Sequence, residues 1–210
     1  MRLKFLFGTD VDFFLIVVAL GFLLRIATVF TVPDFYAPDE FAHYSYIKHL
    51  HDFWMLPEEV FKTGTISGKW EFHQPPIYYF AAAIFLKIVG IFGISGNDAV
   101  VLRVFSVLIW LATIFMVRKS LDNFRKFGEL YYWLPILMVA FLPAYVFISS
   151  EINNDNLQIF LGVAVFYLAS TAGLRFSWAS VLMLSLLIGF SLLVKLTAVI
   201  YIPMIVILFF

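Results

Sequence analysis

Cysteine is absent from the chain, which excludes disulfides, thiolate metal sites and a cysteine nucleophile. Charge is scarce and balanced: 14 basic and 14 acidic side chains cancel to zero. The balance removes nucleic acid or another polyanion as a general partner, and charged residues at 13% cannot cover a soluble globule of 210 residues. There is no internal repeat, low-complexity tract or nucleotide-binding soluble domain. Apolar residues fill the chain instead, at 63%, with 20% aromatics and a mean hydropathy of +0.97. The composition predicts an all-α, multi-pass integral membrane protein.

Apolar runs fall at roughly 11–32, 77–94, 98–118, 131–149, 157–173, 178–194 and 197–210. The basic start, Met1-Arg2-Leu3-Lys4, resembles a signal-peptide head. The run behind it carries Asp10 and Asp12 and lacks a small-x-small cleavage site, so an uncleaved first span is expected. If every run crosses, the loop with Arg118, Lys119, Arg125 and Lys126 lies opposite Arg2 and Lys4, against the placement of Lys and Arg in cytoplasmic loops. If 77–94 lies in the interface, that loop and Arg175 join the N-terminus in the cytoplasm. The second topology is preferred: Pro75-Pro76 presets the first turn, Lys87 interrupts the apolar face, and Gly90 and Gly93 weaken the end. It places an outer loop at 33–97, with interfacial helices at about 38–54 and 77–94, on the same face as the 150–156 turn. The apolar end from Leu196 to Phe210 is read as a fragment boundary or as a helix ending at the membrane face.

Chemistry concentrates in that outer segment. Ala37-Pro38-Asp39-Glu40-Phe41-Ala42-His43-Tyr44 sets two carboxylates and an imidazole just past the first span, where an ionised carboxylate is costly. Pro38 opens a helix whose Phe41, Tyr44, Ile47, Leu50 and Trp54 form an apolar stripe suited to a membrane surface. Successive helical side chains point about 100° apart, which suits Asp39 and Glu40 to a general base and an orienting acid. The same acids also suit a helix N-terminus by its dipole alone. Glu151-Ile152-Asn153-Asn154-Asp155-Asn156 has the same two readings, a helix cap or a second polar wall facing Asp39.

Arg25, Arg103 and Lys195 fall in the outer parts of their spans, where a buried cation costs about 2.5–3.5 kcal/mol. A ligand phosphate would offset that cost through charge-assisted hydrogen bonds; snorkelling to headgroups is the alternative. Lys62 and Lys69 are weaker phosphate candidates. His43, His49, His51 and His73 with Glu71 allow a divalent metal in principle, but His49-x-His51 and Glu71-x-His73 lack the i, i+4 spacing that shares a helix face. In Phe72-His73-Gln74-Pro75-Pro76-Ile77-Tyr78-Tyr79, His73 suits positioning of the loop or of a substrate hydroxyl. Tyr78 and Tyr79 suit an interface belt or a sugar platform.

The order of these pieces resembles the GT-C class of polytopic glycosyltransferases, and most the protein O-mannosyltransferase and lipid A aminoarabinose transferase group. The resemblance covers nearly all of the chain, which would be the N-terminal half of a longer enzyme and a single transmembrane domain over 1–210. It implies a polyprenyl-phosphate sugar donor, a hydroxyl acceptor on protein, lipid or glycan, inversion at the anomeric carbon, and a bacterial inner membrane with the N-terminus in the cytoplasm. By the resemblance Asp39 matches the catalytic base, Glu40 the second acid and Asp155 the acid of the next outer loop. His43, His73, Gln74, Tyr78, Asn154, Arg25, Arg103 and Lys195 are the expected substrate contacts. The match at His73-Gln74-Pro75-Pro76 departs from the commoner His-Pro-Pro by an inserted Gln. Gly189-Phe190-Ser191-Leu192-Leu193-Val194-Lys195 resembles the class's Gly-x-x-x-x-x-Lys stretch. A transporter for an anionic or proton-coupled solute and a noncatalytic truncated paralogue are the competing readings.

Overall fold

The computed structural model describes residues 10–57, 70–93, 96–172 and 177–203. Among the described residues the chain is helical throughout, with no strand. Its helices are α1 (Asp10–Thr31), α2 (Glu40–Phe53), α3 (Ile77–Ile91), α4 (Asp98–Leu121), α5 (Glu129–Phe141), α6 (Pro143–Ile148), α7 (Asp155–Ala172) and α8 (Trp178–Leu192). Tight 3₁₀ turns cover Trp70–His73, Asp122–Phe127 and Leu196–Ile200. Of these elements α1, with 22 residues, and α4, with 24, are long and apolar enough to cross a membrane.

Helix α4 is the central strut, packed by α1, α3, α5 and α7. The Asn97 side chain caps it by accepting the Ala99 amide at 2.9 Å; Asp98 in its first turn and Arg118 and Lys119 in its last complement the dipole. Helix α1 turns Phe14, Val17, Gly21, Arg25 and Val29 inward at spacings of three and four, and leaves Leu15, Leu20, Leu23, Leu24 and Phe30 exposed. A Cβ on Gly21 would stand 2.9 Å from the Trp110 ring, so only glycine lets α1 approach α4 this closely.

The apolar run at 131–149 is not one helix. Pro143 forces Leu142 into extended backbone and restarts the chain as α6. A proline also has no amide hydrogen for the carbonyl four residues back, here Val139. Two side chains supply the missing donors: Arg25 Nη2 and Trp110 Nε1 each bond the Val139 carbonyl at 3.0 Å. Arg25 Nη1 bonds Ala140 O at 2.9 Å and Gly21 O at 3.0 Å, its Nε bonds Ser149 Oγ at 2.7 Å, and its guanidinium lies 3.7 Å from the Trp110 ring centre.

The end of α1 repeats the device. Pro33 leaves the carbonyl of Val29 without its helical donor, and Arg103 Nη1 donates to it at 3.2 Å and to Val32 O at 2.8 Å. Arg103 Nη2 reaches Pro33 O at 2.9 Å.

Contacts sort the loops into two ends. Arg125 bonds Asp10 and Glu129, so the basic turn and the start of α1 share one end. At the other, Asn97 bonds Asp34, Lys48 bonds Asp98, and the Ile77 amide donates to Leu193 O at 3.2 Å. Helix α3 begins at this second end and is followed by Asn97 at the same end; it lies along α2, with Tyr79 stacked on Tyr46 and Lys87 over Trp54. The surface stripe expected on α2 divides: Ile47 and Leu50 are buried against α3 with Tyr46, while Phe41 and Trp54 stay exposed. Packing against α3 selects the face, and hydrophobic spacing alone did not reveal the neighbour.

Candidate functional site

The second end gathers the polar residues. Asp39 precedes α2 in the left-handed region, at φ 63°, where a non-glycine side chain is uncommon. Its carbonyl opens the helix by accepting the His43 amide at 3.0 Å, but its exposed side chain makes no capping hydrogen bond. Its charge still suits the helix dipole, but the side chain is not held as a cap. Strain of this kind concentrates where the surroundings over-determine a conformation.

Glu40 and Arg103 supply that determination. The two form a bidentate pair, Nε to Oε1 and Nη2 to Oε2, each 2.7 Å, with Glu40 1% and Arg103 0% exposed. Glu40 Oε1 also accepts the Ile152 amide at 3.3 Å. An arginine has five N–H donors, and the bonds to Glu40, Val29, Val32 and Pro33 use them all. Arg103 thus has no donor left for a phosphate, and Arg25 is buried among carbonyls and the Trp110 ring. Both of these expected substrate contacts, and Glu40, build the frame of the site.

Inside that frame His43 meets Tyr79, Nδ1 to hydroxyl oxygen at 2.9 Å, and Asn154 Nδ2 donates to the same oxygen at 3.5 Å. Lys195 Nζ bonds Asp155 Oδ1 at 2.5 Å, with both side chains partly exposed. Burial pushes the His43 imidazole down to about 4; the charges of Asp39 and Asp155 oppose the shift and Lys195 reinforces it. These three charges therefore lie close enough to act on one ring. Glu71, in the 3₁₀ turn, is raised by burial and then by Asp39, against His73, Gln74 and Lys195, so the turn at Trp70–His73 lies near the same cluster. His73 is exposed beside Gln74.

The remaining expected residues are placed less openly. Tyr78 is wholly buried, its hydroxyl toward Ser106 and the backbone of Asn153, which is an interior position and not a platform. Asn153 caps α7 by accepting the Asp155 amide at 2.8 Å, and Asn156 braces the turn through Ile148 O at 3.0 Å, so part of the Asn/Asp density is structural. Glu151, 3% exposed, is pushed up to about 8 by burial and then by Glu40, against Arg103. Lys62 and Lys69 lie outside the described residues. Among the described residues no group of three His, Asp or Glu side chains has the geometry to hold a metal.

Tyr79 and Glu71 are central to this cluster. The sequence suits Tyr79 to an interface belt or a sugar platform and allows Glu71 a metal only in principle. Their position directly around Pro75-Pro76, close to His73, was the available pointer. No protein-family model, curated protein or solved structure matches the chain.

Proposed function

We propose that this chain carries the outer-face site of a membrane glycosyltransferase of GT-C type, moving a sugar from a polyprenyl phosphate to an acceptor hydroxyl with inversion. The supporting observation is the meeting of a strained, exposed carboxylate, Asp39, with Lys195, Asp155 and His43 at one end of a bundle of apolar helices. A lipid-phosphate donor is held by its tail in the bilayer, so the protein needs only a cation for the departing phosphate and a base for the incoming hydroxyl. Asp39 takes the proton of the acceptor hydroxyl. The oxygen bonds the anomeric carbon from the face opposite the phosphate, and the bond from that carbon to the phosphate oxygen breaks with its electron pair on the polyprenyl phosphate. Lys195, oriented by Asp155, neutralises the leaving group. In this reading α2 and α3 lie at the outer interface and the basic turn faces the cytoplasm.

The test uses membranes bearing the chain, supplied with undecaprenyl phosphate carrying a radiolabelled sugar. Wild type transfers label; Asp39→Asn lowers the rate by about 10²–10⁴-fold, the range for loss of a general base. Unchanged transfer in that variant removes Asp39 as the base. Uptake of a charged solute into vesicles without transfer favours a transporter.

A further inference from the structure

We infer that Tyr79 fixes the tautomer of His43, so that the imidazole presents an Nε2–H to the site and acts as a hydrogen-bond donor, leaving proton abstraction to Asp39. The donor's role in turnover rests on the transfer reaction proposed above; the tautomer does not.

A tyrosine hydroxyl has one proton to donate and lone pairs to accept. The Tyr79 oxygen receives the Asn154 amide nitrogen, which can only donate, at 3.5 Å. Its own proton is then directed to the other neighbour, Nδ1 of His43, at 2.9 Å. An Nδ1 that accepts leaves the ring proton on Nε2. The partners are buried, His43 4% exposed and Tyr79 and Asn154 0%, so water does not compete for these bonds. Nor can the hydroxyl swing away: the Tyr79 ring stacks on Tyr46 at 4.1 Å between centroids and meets Tyr78 edge-on at 5.3 Å.

The opposite arrangement would make Nδ1 the donor to Tyr79 and leave a bare Nε2, a second base beside Asp39. With Asn154 also donating to that oxygen, it would leave the buried Tyr79 hydroxyl proton without an acceptor. The imidazolium is disfavoured by burial and by Lys195 more than Asp39 and Asp155 favour it, so the ring is neutral near neutral pH. Asp39 and His43 sit one turn apart in sequence, joined by the 3.0 Å bond from the His43 amide to the Asp39 carbonyl. Tyr79 is thus a positioning residue that acts through His43.

Histidine-nitrogen NMR on isotope-labelled full chain in lipid nanodiscs reads the tautomer directly, with His43 assigned by the signal lost in His43→Gln. At neutral pH the expected spectrum has Nε2 protonated and Nδ1 bare for His43, and Tyr79→Phe converts this single form to a tautomer mixture. A protonated Nδ1 in wild type overturns the inference, as does a Tyr79→Phe spectrum identical to wild type. The wild-type spectrum decides even if the variant fails to fold. In the transfer assay His43→Gln, which keeps a donor near Nε2, retains at least about tenfold more kcat than His43→Ala; equal loss in both refutes the donor role. A correct tautomer in a protein that moves no lipid-linked sugar refutes the transfer reaction and leaves the tautomer standing.

Discussion

Glu40→Gln is the most direct probe of the frame. It leaves Arg103, 0% exposed, with its bonds to Val29, Val32 and Pro33 but without a counter-charge. Removing one partner of a buried ion pair costs about 3–5 kcal/mol. A glutamine still accepts one hydrogen bond, which puts the expected loss at the lower end, about 3 kcal/mol. At about 2–4 °C per kcal/mol for a chain of this size, the midpoint falls by about 6–12 °C. The companion Glu40→Gln/Arg103→Gln removes the lone charge but orphans the Val29 carbonyl, whose residue is 1% exposed. An unsatisfied buried acceptor costs about 1–3 kcal/mol, so the double variant recovers part of the loss and stops short of wild type. Thermal unfolding in detergent, followed by fluorescence-detected size exclusion, measures both. A double variant as stable as wild type refutes the carbonyl argument, and a Glu40→Gln protein with an unchanged midpoint refutes the ion-pair argument.

Arg25→Leu should destabilise by about 3 kcal/mol in wild type but by less in a Pro143→Ala background, because alanine returns an amide donor to Val139; equal losses in the two backgrounds contradict the proposed coupling. Asp39→Gly should stabilise by about 1 kcal/mol, since glycine adopts φ 63° without strain, while abolishing transfer; a less stable glycine variant argues against stored strain. Glu151 is raised from its ordinary 4.5 to about 8, so the folded state keeps a proton that the unfolded chain releases. The stability linked to it is complete below pH 4.5 and is lost as pH rises through about 8, by at most about 1.4 kcal/mol per pH unit. Midpoints measured across that range should show the slope in wild type and a flatter line in Glu151→Gln, and parallel lines exclude Glu151 as the source.

Hydropathy is enough to locate the helices other than α2, because a lipid-facing or interior helix needs only composition and length, while α2 shows in its spacing after Pro38. The break inside the run at 131–149 is invisible for the same reason: Leu142-Pro143-Ala144 is as apolar as its flanks, and only the stereochemistry of Pro143 marks it. Asp39, His43, Asp155 and Lys195 could be picked out as costly polar groups next to apolar runs. Arg25 and Arg103 carry the same cost, and composition cannot distinguish a cation awaiting a ligand from one already saturated by carbonyls. Pro33 and Pro143 were the available clue, each leaving an acceptor four positions back that some other group must satisfy. The sequence offers Tyr79 only an interface belt or a sugar platform because its partners, His43 and Asn154, lie 36 and 75 residues away along the chain.

A bend at proline ordinarily acts as a hinge, because the segments on either side share one bond fewer. In this fold the absent amide hydrogen is replaced from another helix: α4 reaches into the end of α1, and α1 reaches into the joint between α5 and α6. The bends are thereby riveted in sequence, so that no one of these helices can shift without pulling on the next. The loop bearing Asp39 hangs from the first rivet and inherits its position from the whole chain of supports.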